Sequence, residues 1–238
     1  MKKIMICIAV MLTSGLTAIV AKNENNVKQY TLSNGVNVLF NQTGNCEDGV
    51  TMYALSKGGT SLYTDILPAN LKVLNECLAV SGLAGYSQQE LQKAMDESNV
   101  SVTPYVGEYE EHITSHASTN NLEKMFQMNN LYFTRLRTDT DAFKTWRDSM
   151  HTKIDCMDKD TPTGLTHADL DVINYDLVMQ LVAQRFSDVG DFTFVISGNV
   201  PESELLPLLN KYIASLHTNG KYEVPNIAGN KTRCLTKR

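Results

Sequence analysis

The sequence lacks the patterns that mark several protein classes. It has no Cys-x-x-Cys pair, no Gly-x-Ser-x-Gly turn around a nucleophilic serine, no internal repeat and no cluster of basic residues. These absences argue against a disulfide scaffold, a serine hydrolase of the nucleophile-elbow type and a repeat protein. Because the formal net charge is −5 and no basic cluster offsets it, we expect no nucleic-acid partner.

Cysteine is also sparse and scattered. Of the five cysteines, four lie beyond residue 21, at Cys46, Cys77, Cys156 and Cys234. One bridge among them is compatible with an oxidising compartment, but the spacing assigns no pair.

The first residues carry the pattern of a secretory signal. Lys2 and Lys3 precede an apolar run, and the small residues Ala18 and Ala21 offer cleavage positions. The alternative is an uncleaved anchor, but the apolar stretch Ile4–Val20 is short for a membrane span of about 20 residues. We therefore predict a signal peptide over residues 1–21, export to the periplasm or outside the cell, and no stable membrane span after cleavage.

The rest of the chain predicts one domain. An apolar fraction of 42% and a charged fraction of 20% suit a globular core rather than disorder. We place this domain at residues 27–216 and a flexible tail at 217–238, where Asn219-Gly220, Pro225 and Gly229 lie.

Hydrophobic periodicity predicts both strands and helices. Alternating segments on either side of Asn34-Gly35 indicate a hairpin with a type I′ turn, and Asn70–Val80 has helical spacing. Capping boxes are expected where helices begin at Ser87, Asn120 and Thr166. The remaining expected strands are Val50–Leu55, Val100–Val106, Glu110–Ser118 and Phe192–Ile196. The order of elements predicts an α+β fold, an α/β roll whose largely antiparallel sheet carries helices on one side.

Four segments in a fixed order carry a resemblance to a known family. They are Thr31-Leu32-Ser33-Asn34-Gly35, Lys57-Gly58-Gly59-Thr60-Ser61, Ser81–Ser87 and Gly190–Asn199. Their order resembles one domain of the insulinase/pitrilysin zinc metallopeptidases, and most of all a non-catalytic repeat of the large exported bacterial members. The resemblance implies a peptidase scaffold built from several copies of one roll, of which only the first carries zinc.

The zinc motif of that family is missing. In His-x-x-Glu-His, two histidines four residues apart share one zinc ion and the glutamate activates water. Aligning the neighbouring small residues places Val73, Glu76 and Cys77 on the three motif positions, and no histidine precedes His112. We therefore expect no catalytic residue, no metal site and no cofactor.

A weaker alternative is a metal site at His112 and His116. On a helix the two imidazoles would converge, but the local pattern favours a strand, which separates them by about 13 Å. His151 and His167 lie near helix ends, where we expect both side chains to be solvated.

The leading hypothesis is a non-catalytic, exported domain of the zinc-peptidase type. Its partners would be a catalytic or companion peptidase-family subunit and peptide, which a strand edge can hold by backbone pairing. Two alternatives remain open at this stage. One is an active zinc peptidase with atypical ligands drawn from Glu76, Cys77, His112 and His116, and the other is a generic exported binding or scaffold domain.

Overall fold

A computed structural model describes residues 27–44, 49–156, 164–222 and 235–236. The predicted signal peptide, Cys46 and Cys234 lie outside these residues. The strands are β1 Val27–Thr31, β2 Asn37–Gln42, β3 Val50–Lys57, β4 Gly82–Leu83, β5 Val100–Val106, β6 Glu110–Ala117, β7 Leu136–Arg137, β8 Thr193–Gly198, β9 Lys221–Tyr222 and β10 Leu235–Thr236. The helices are α1 Pro68–Lys72, α2 Leu74–Val80, α3 Gln88–Glu97, α4 Leu122–Thr134, α5 Thr140–Cys156, α6 His167–Asp171, α7 Tyr175–Phe186 and α8 Glu202–Tyr212.

The main sheet has six strands in the order β1-β2-β8-β3-β6-β5. Only β2 and β8 run parallel, with Val38 opposite Phe194, and the other neighbours are antiparallel. Along β3, buried Val50, Met52 and Ala54 alternate with more exposed residues, because one sheet face meets the helices. The predicted α+β roll is confirmed. Among the described residues, no helix has the length and apolarity needed to cross a bilayer.

The first hairpin is confirmed, but its predicted turn type is wrong. Gly35 donates to the Leu32 carbonyl at 2.8 Å, and Leu32 N–H donates to Val36. In this turn Gly35 has a positive φ of 84° but Asn34 does not, whereas a type I′ turn requires a positive φ at both central residues. The glycine therefore closes a longer loop rather than forming the centre of a two-residue turn.

A buried polar cluster fixes the turn after β3. The Glu111 carboxylate accepts a hydrogen bond of 2.7 Å from Gly59 N–H, and Arg185 Nε donates to the Tyr63 hydroxyl at 2.9 Å. Glu111 is 1% exposed and Arg185 is 7% exposed. A Cβ on Gly58 would lie 3.1 Å from Arg185 Nη1 and 3.4 Å from Glu111 Oε2. Both charged groups therefore face the same glycine, and they join β6 and α7 to this turn.

The described start of the C-terminal tail packs against the turn before β8. The His217 carbonyl accepts from Val189 N–H, and Asn219 N–H donates to the buried Asp188 carboxylate at 3.1 Å. Flexibility of the rest of the tail stays a prediction, since residues 223–234 are outside the described part.

Candidate functional site

The segment aligned with the zinc motif is two short helices rather than one. The predicted helix Asn70–Val80 is wrong in this respect, because the chain breaks at Val73, where φ is −115° and ψ is 14°. The Asn70 side chain accepts from Asn174 N–H at 2.8 Å, which ties α1 to the residue before α7. The break lies at the first of the three aligned motif positions.

The two positions aligned with the motif's histidines point away from solvent. Val73 and Cys77 are both 0% exposed and belong to the apolar core, where α2 packs against α7 and α5. Glu76 between them is half-buried. The two residues that replace histidines therefore serve as packing residues.

The Cys77 thiol is expected to be unreactive. Burial, with a smaller contribution from the negative charge of Glu76, raises the pKa of Cys77 to about 12. Because the thiolate is the form that ligates metal and attacks electrophiles, this thiol stays protonated and inert at neutral pH.

This burial predicts slow reaction of Cys77 with Ellman's reagent. In a protein whose other cysteines are replaced by serine, we expect no release of thionitrobenzoate at pH 8 until urea unfolds the chain. The matched control keeps Cys156 alone, which is exposed and should react at once. Equal rates for the two proteins under native conditions would contradict the burial of Cys77.

A groove runs between α2, α3 and the outer strand β5. Its volume is about 320 Å³. It is lined by polar and apolar side chains from all three elements, among them Asn75, Ala79, Gln92, Met95 and Val102. Val73, Glu76 and Cys77 do not line it, so α2 turns a different face to the groove from the one that carries the aligned motif positions.

Asn75 closes one end of the β5 edge. Its side-chain amide donates to the Val106 carbonyl and accepts from Val106 N–H, both at 2.9 Å. The side chain thus takes the place of a neighbouring strand at Val106. The sequence did not predict this role, because no local pattern indicates a contact between Asn75 and Val106, which are 31 positions apart.

The alternation along β5 then identifies the edge groups that remain. Gly107 N–H donates to the Glu110 carbonyl, so Gly107 points toward β6 and Val106 points away from it. By the same alternation, Val100, Val102 and Pro104 direct their backbone groups away from β6, toward the groove. Pro104 has no N–H to offer there, which is why a proline is tolerated in this strand.

His112 and His116 lie on β6, as predicted, and on the same face of it. The His112 ring lies beside two tyrosine rings, 5.1 Å from Tyr53 and 5.2 Å from Tyr105 between ring centres. Burial lowers the pKa of His112 despite the opposing charge of Glu110, which favours the neutral ring. His116 Nδ1 lies 3.3 Å from the Thr51 hydroxyl.

Metal-ligating side chains do not gather in the described ranges. Within residues 27–44, 49–156, 164–222 and 235–236, no three His, Cys, Asp or Glu side chains are placed to hold one ion. The expectation that the chain has no metal or catalytic site remains a prediction that binding measurements must test.

The described elements form an α/β roll in which the segment aligned with the zinc motif carries packing residues. No family model matches the sequence. The chain is 24% identical over 209 residues to the probable zinc protease PqqL of Escherichia coli K12, covering 80% of this chain and 22% of the relative.

Solved structures give the same fold. The periplasmic protease PqqL from Escherichia coli superimposes with a TM-score of 0.69 at 23% identity, over 89% of this chain and 25% of that one. An M16 peptidase inactive domain from Pseudomonas fluorescens superimposes with a TM-score of 0.63 at 12% identity, over 84% of this chain and 54% of that one. The chain therefore has the fold of an M16 (insulinase/pitrilysin) peptidase domain, which confirms the resemblance. It spans about a quarter of the length of PqqL.

Proposed function

We propose that this chain is a non-catalytic domain that works beside a zinc-bearing domain of the same fold and holds extended peptide along the β5 edge. One observation carries the proposal. The segment aligned with the zinc motif buries Val73 and Cys77 in the core, while a groove lined by the edge strand β5 lies beside it.

The proposed companion is a second roll of the same type. The similar PqqL chain is about four times as long as the part that matches, and the similar Pseudomonas fluorescens structure is described as an inactive M16 domain. The face of the sheet opposite the helices also bears partly exposed Tyr53 and Leu55 and exposed Tyr105, which a companion domain would cover.

Export is part of the same proposal. Lys2, Lys3 and the apolar residues after them support a signal peptide, and the similar PqqL protease is described as periplasmic. We place the function in the periplasm, with peptide rather than nucleic acid as the ligand.

The geometry of the edge limits how peptide would bind. An added strand can exchange both backbone hydrogen bonds at Val102 and can donate to the Pro104 carbonyl. It cannot continue to Val106, because Asn75 occupies both groups there. We therefore expect a short paired segment whose alternate side chains enter the groove near Met95 and Ala79.

Amide exchange with an unstructured peptide tests the peptide-binding part. We expect the Val102 amide to become protected when peptide is added, while the Thr103 amide, which points to β6, is protected with or without it. As a matched control, Asn75→Ala should make the Val106 amide exchange about fivefold faster, since one hydrogen bond of about 1 kcal/mol is lost. No change at Val102 with saturating peptide would overturn this part of the proposal.

Peptide cleavage and metal content test the non-catalytic part. Mass spectrometry should find the peptide intact after incubation with the untagged protein and Zn²⁺. One tightly held zinc per chain, together with cleavage that a chelator stops, would overturn it.

Co-elution tests the assembly with a companion domain. A chain carrying His-x-x-Glu-His from the same genome should co-elute with this protein and cleave peptide faster in its presence. Separate elution with unchanged cleavage would count against assembly.

A further inference from the structure

The ends of α5 and α6 bring together two histidines that the sequence had indicated to be solvated. His151 Nδ1 and His167 Nδ1 are 2.8 Å apart. The ring planes differ by 10° and the ring centres are 5.1 Å apart. The distance between ring centres equals the distance between the two nitrogens plus the distance from each ring centre to its nitrogen, so the two nitrogens lie on the line that joins the centres. The rings are therefore nearly coplanar and meet nitrogen to nitrogen.

Each ring has a carboxylate at its other nitrogen. His151 Nε2 lies 3.6 Å from Asp171 of α6, and His167 Nε2 lies 3.1 Å from Asp155 of α5. The four side chains thus form the chain Asp171–His151–His167–Asp155, which crosses three times between the helices. The remaining carboxylate of α6, Asp169, is engaged by Lys72 of α1.

Counting protons shows which state fits this arrangement. Two bare Nδ1 atoms at 2.8 Å would repel each other, and two protonated Nδ1 atoms would set donor against donor. One proton between the two Nδ1 atoms makes one ring the donor and the other ring the acceptor. The aspartates beside the two Nε2 atoms lie at ion-pair distances, where they attract positive charge on either ring.

We propose that His151 and His167 share one proton and form a pH-operated clasp between α5 and α6. Because histidine takes up protons between about pH 5 and 8, acid protonates both Nδ1 atoms, sets donor against donor and opens the clasp. The clasp therefore holds the two helices together at neutral pH and releases them in acid, and this inference does not depend on the proposed function.

Nuclear magnetic resonance of the ¹⁵N-labelled protein tests the clasp directly. A scalar coupling between the two Nδ1 nuclei, transmitted through the shared proton, is expected at about pH 6.5 and should disappear at about pH 5. His151→Gln and His167→Gln should each abolish it, while His217→Gln, which changes a histidine outside the pair, should leave it intact. No coupling at any pH, or an unchanged coupling at pH 5, would overturn the clasp.

A double-mutant cycle gives an independent readout. The coupling between His151→Gln and His167→Gln in the unfolding equilibrium should be about two- to fivefold at pH 6.5 for such exposed partners, and it should vanish in acid. A coupling that grows toward pH 5 would contradict a shared proton. A metal ion retained by the purified protein and lost in both single variants would overturn the proton as the bridging cation.

Discussion

Replacing Val73 and Cys77 together by histidine is expected to destabilise the protein strongly rather than to create a zinc site. The change restores the His-x-x-Glu-His sequence around Glu76, but both substituted positions are 0% exposed and face the core. Each imidazole would overfill a packed site and bury polar nitrogens, for a combined loss of about 4 kcal/mol. A domain of this kind has only about 5–15 kcal/mol in total.

Urea denaturation followed by circular dichroism measures this loss, and atomic absorption after dialysis measures zinc. The matched control is Ala79→His, at an exposed position on the same helix, which should change the free energy of unfolding by no more than about 0.5 kcal/mol. A double variant that keeps wild-type stability and binds one zinc per chain would show that these positions face a usable site after all.

Replacing Arg185 by methionine is expected to have the other large effect. Methionine keeps much of the side-chain volume but removes the guanidinium, which lies beside Gly58 together with the Glu111 carboxylate. Since Glu111 is almost fully buried, its charge would lose a cationic neighbour where solvent compensates little, at a cost of about 3 kcal/mol or more.

The urea midpoint should fall with little change in the slope of the transition, because the folded state is weakened without a change in its compactness. The double variant Arg185→Met/Glu111→Leu is the informative control, since it removes both charges and should recover part of the loss. If the double variant is no more stable than the sum of the two single changes predicts, the two charges are not coupled in the way described.

Local sequence patterns predicted much of the fold because each pattern depends only on residues within one strand or one helix. Alternation predicted β3, β5, β6 and β8, and the capping boxes at Ser87 and Thr166 are confirmed. The box expected at Asn120 is wrong. Residues 119–121 form a short 3₁₀ turn, and Glu123 accepts hydrogen bonds from Lys211 and Tyr212, both at 2.8 Å, instead of capping α4.

The candidate site was less predictable because it depends on contacts between distant residues. The absence of His-x-x-Glu-His is read directly from the sequence, but the orientation of α2 is not. That orientation follows from the break at Val73 and from packing on α7, and it decides that Asn75 rather than Cys77 meets β5. The contact between His151 and His167 likewise depends on how α5 and α6 cross, which helical periodicity alone does not specify.

The end of β5 has a consequence for how the protein behaves at high concentration. An unpaired strand at a sheet margin invites identical molecules to add to one another and polymerise. Here the amide of Asn75 covers one end of that margin, and Pro104 withholds a donor two residues before it. Molecules of this protein are thereby discouraged from stacking into fibrils, although a stretch short enough for a single guest strand stays open.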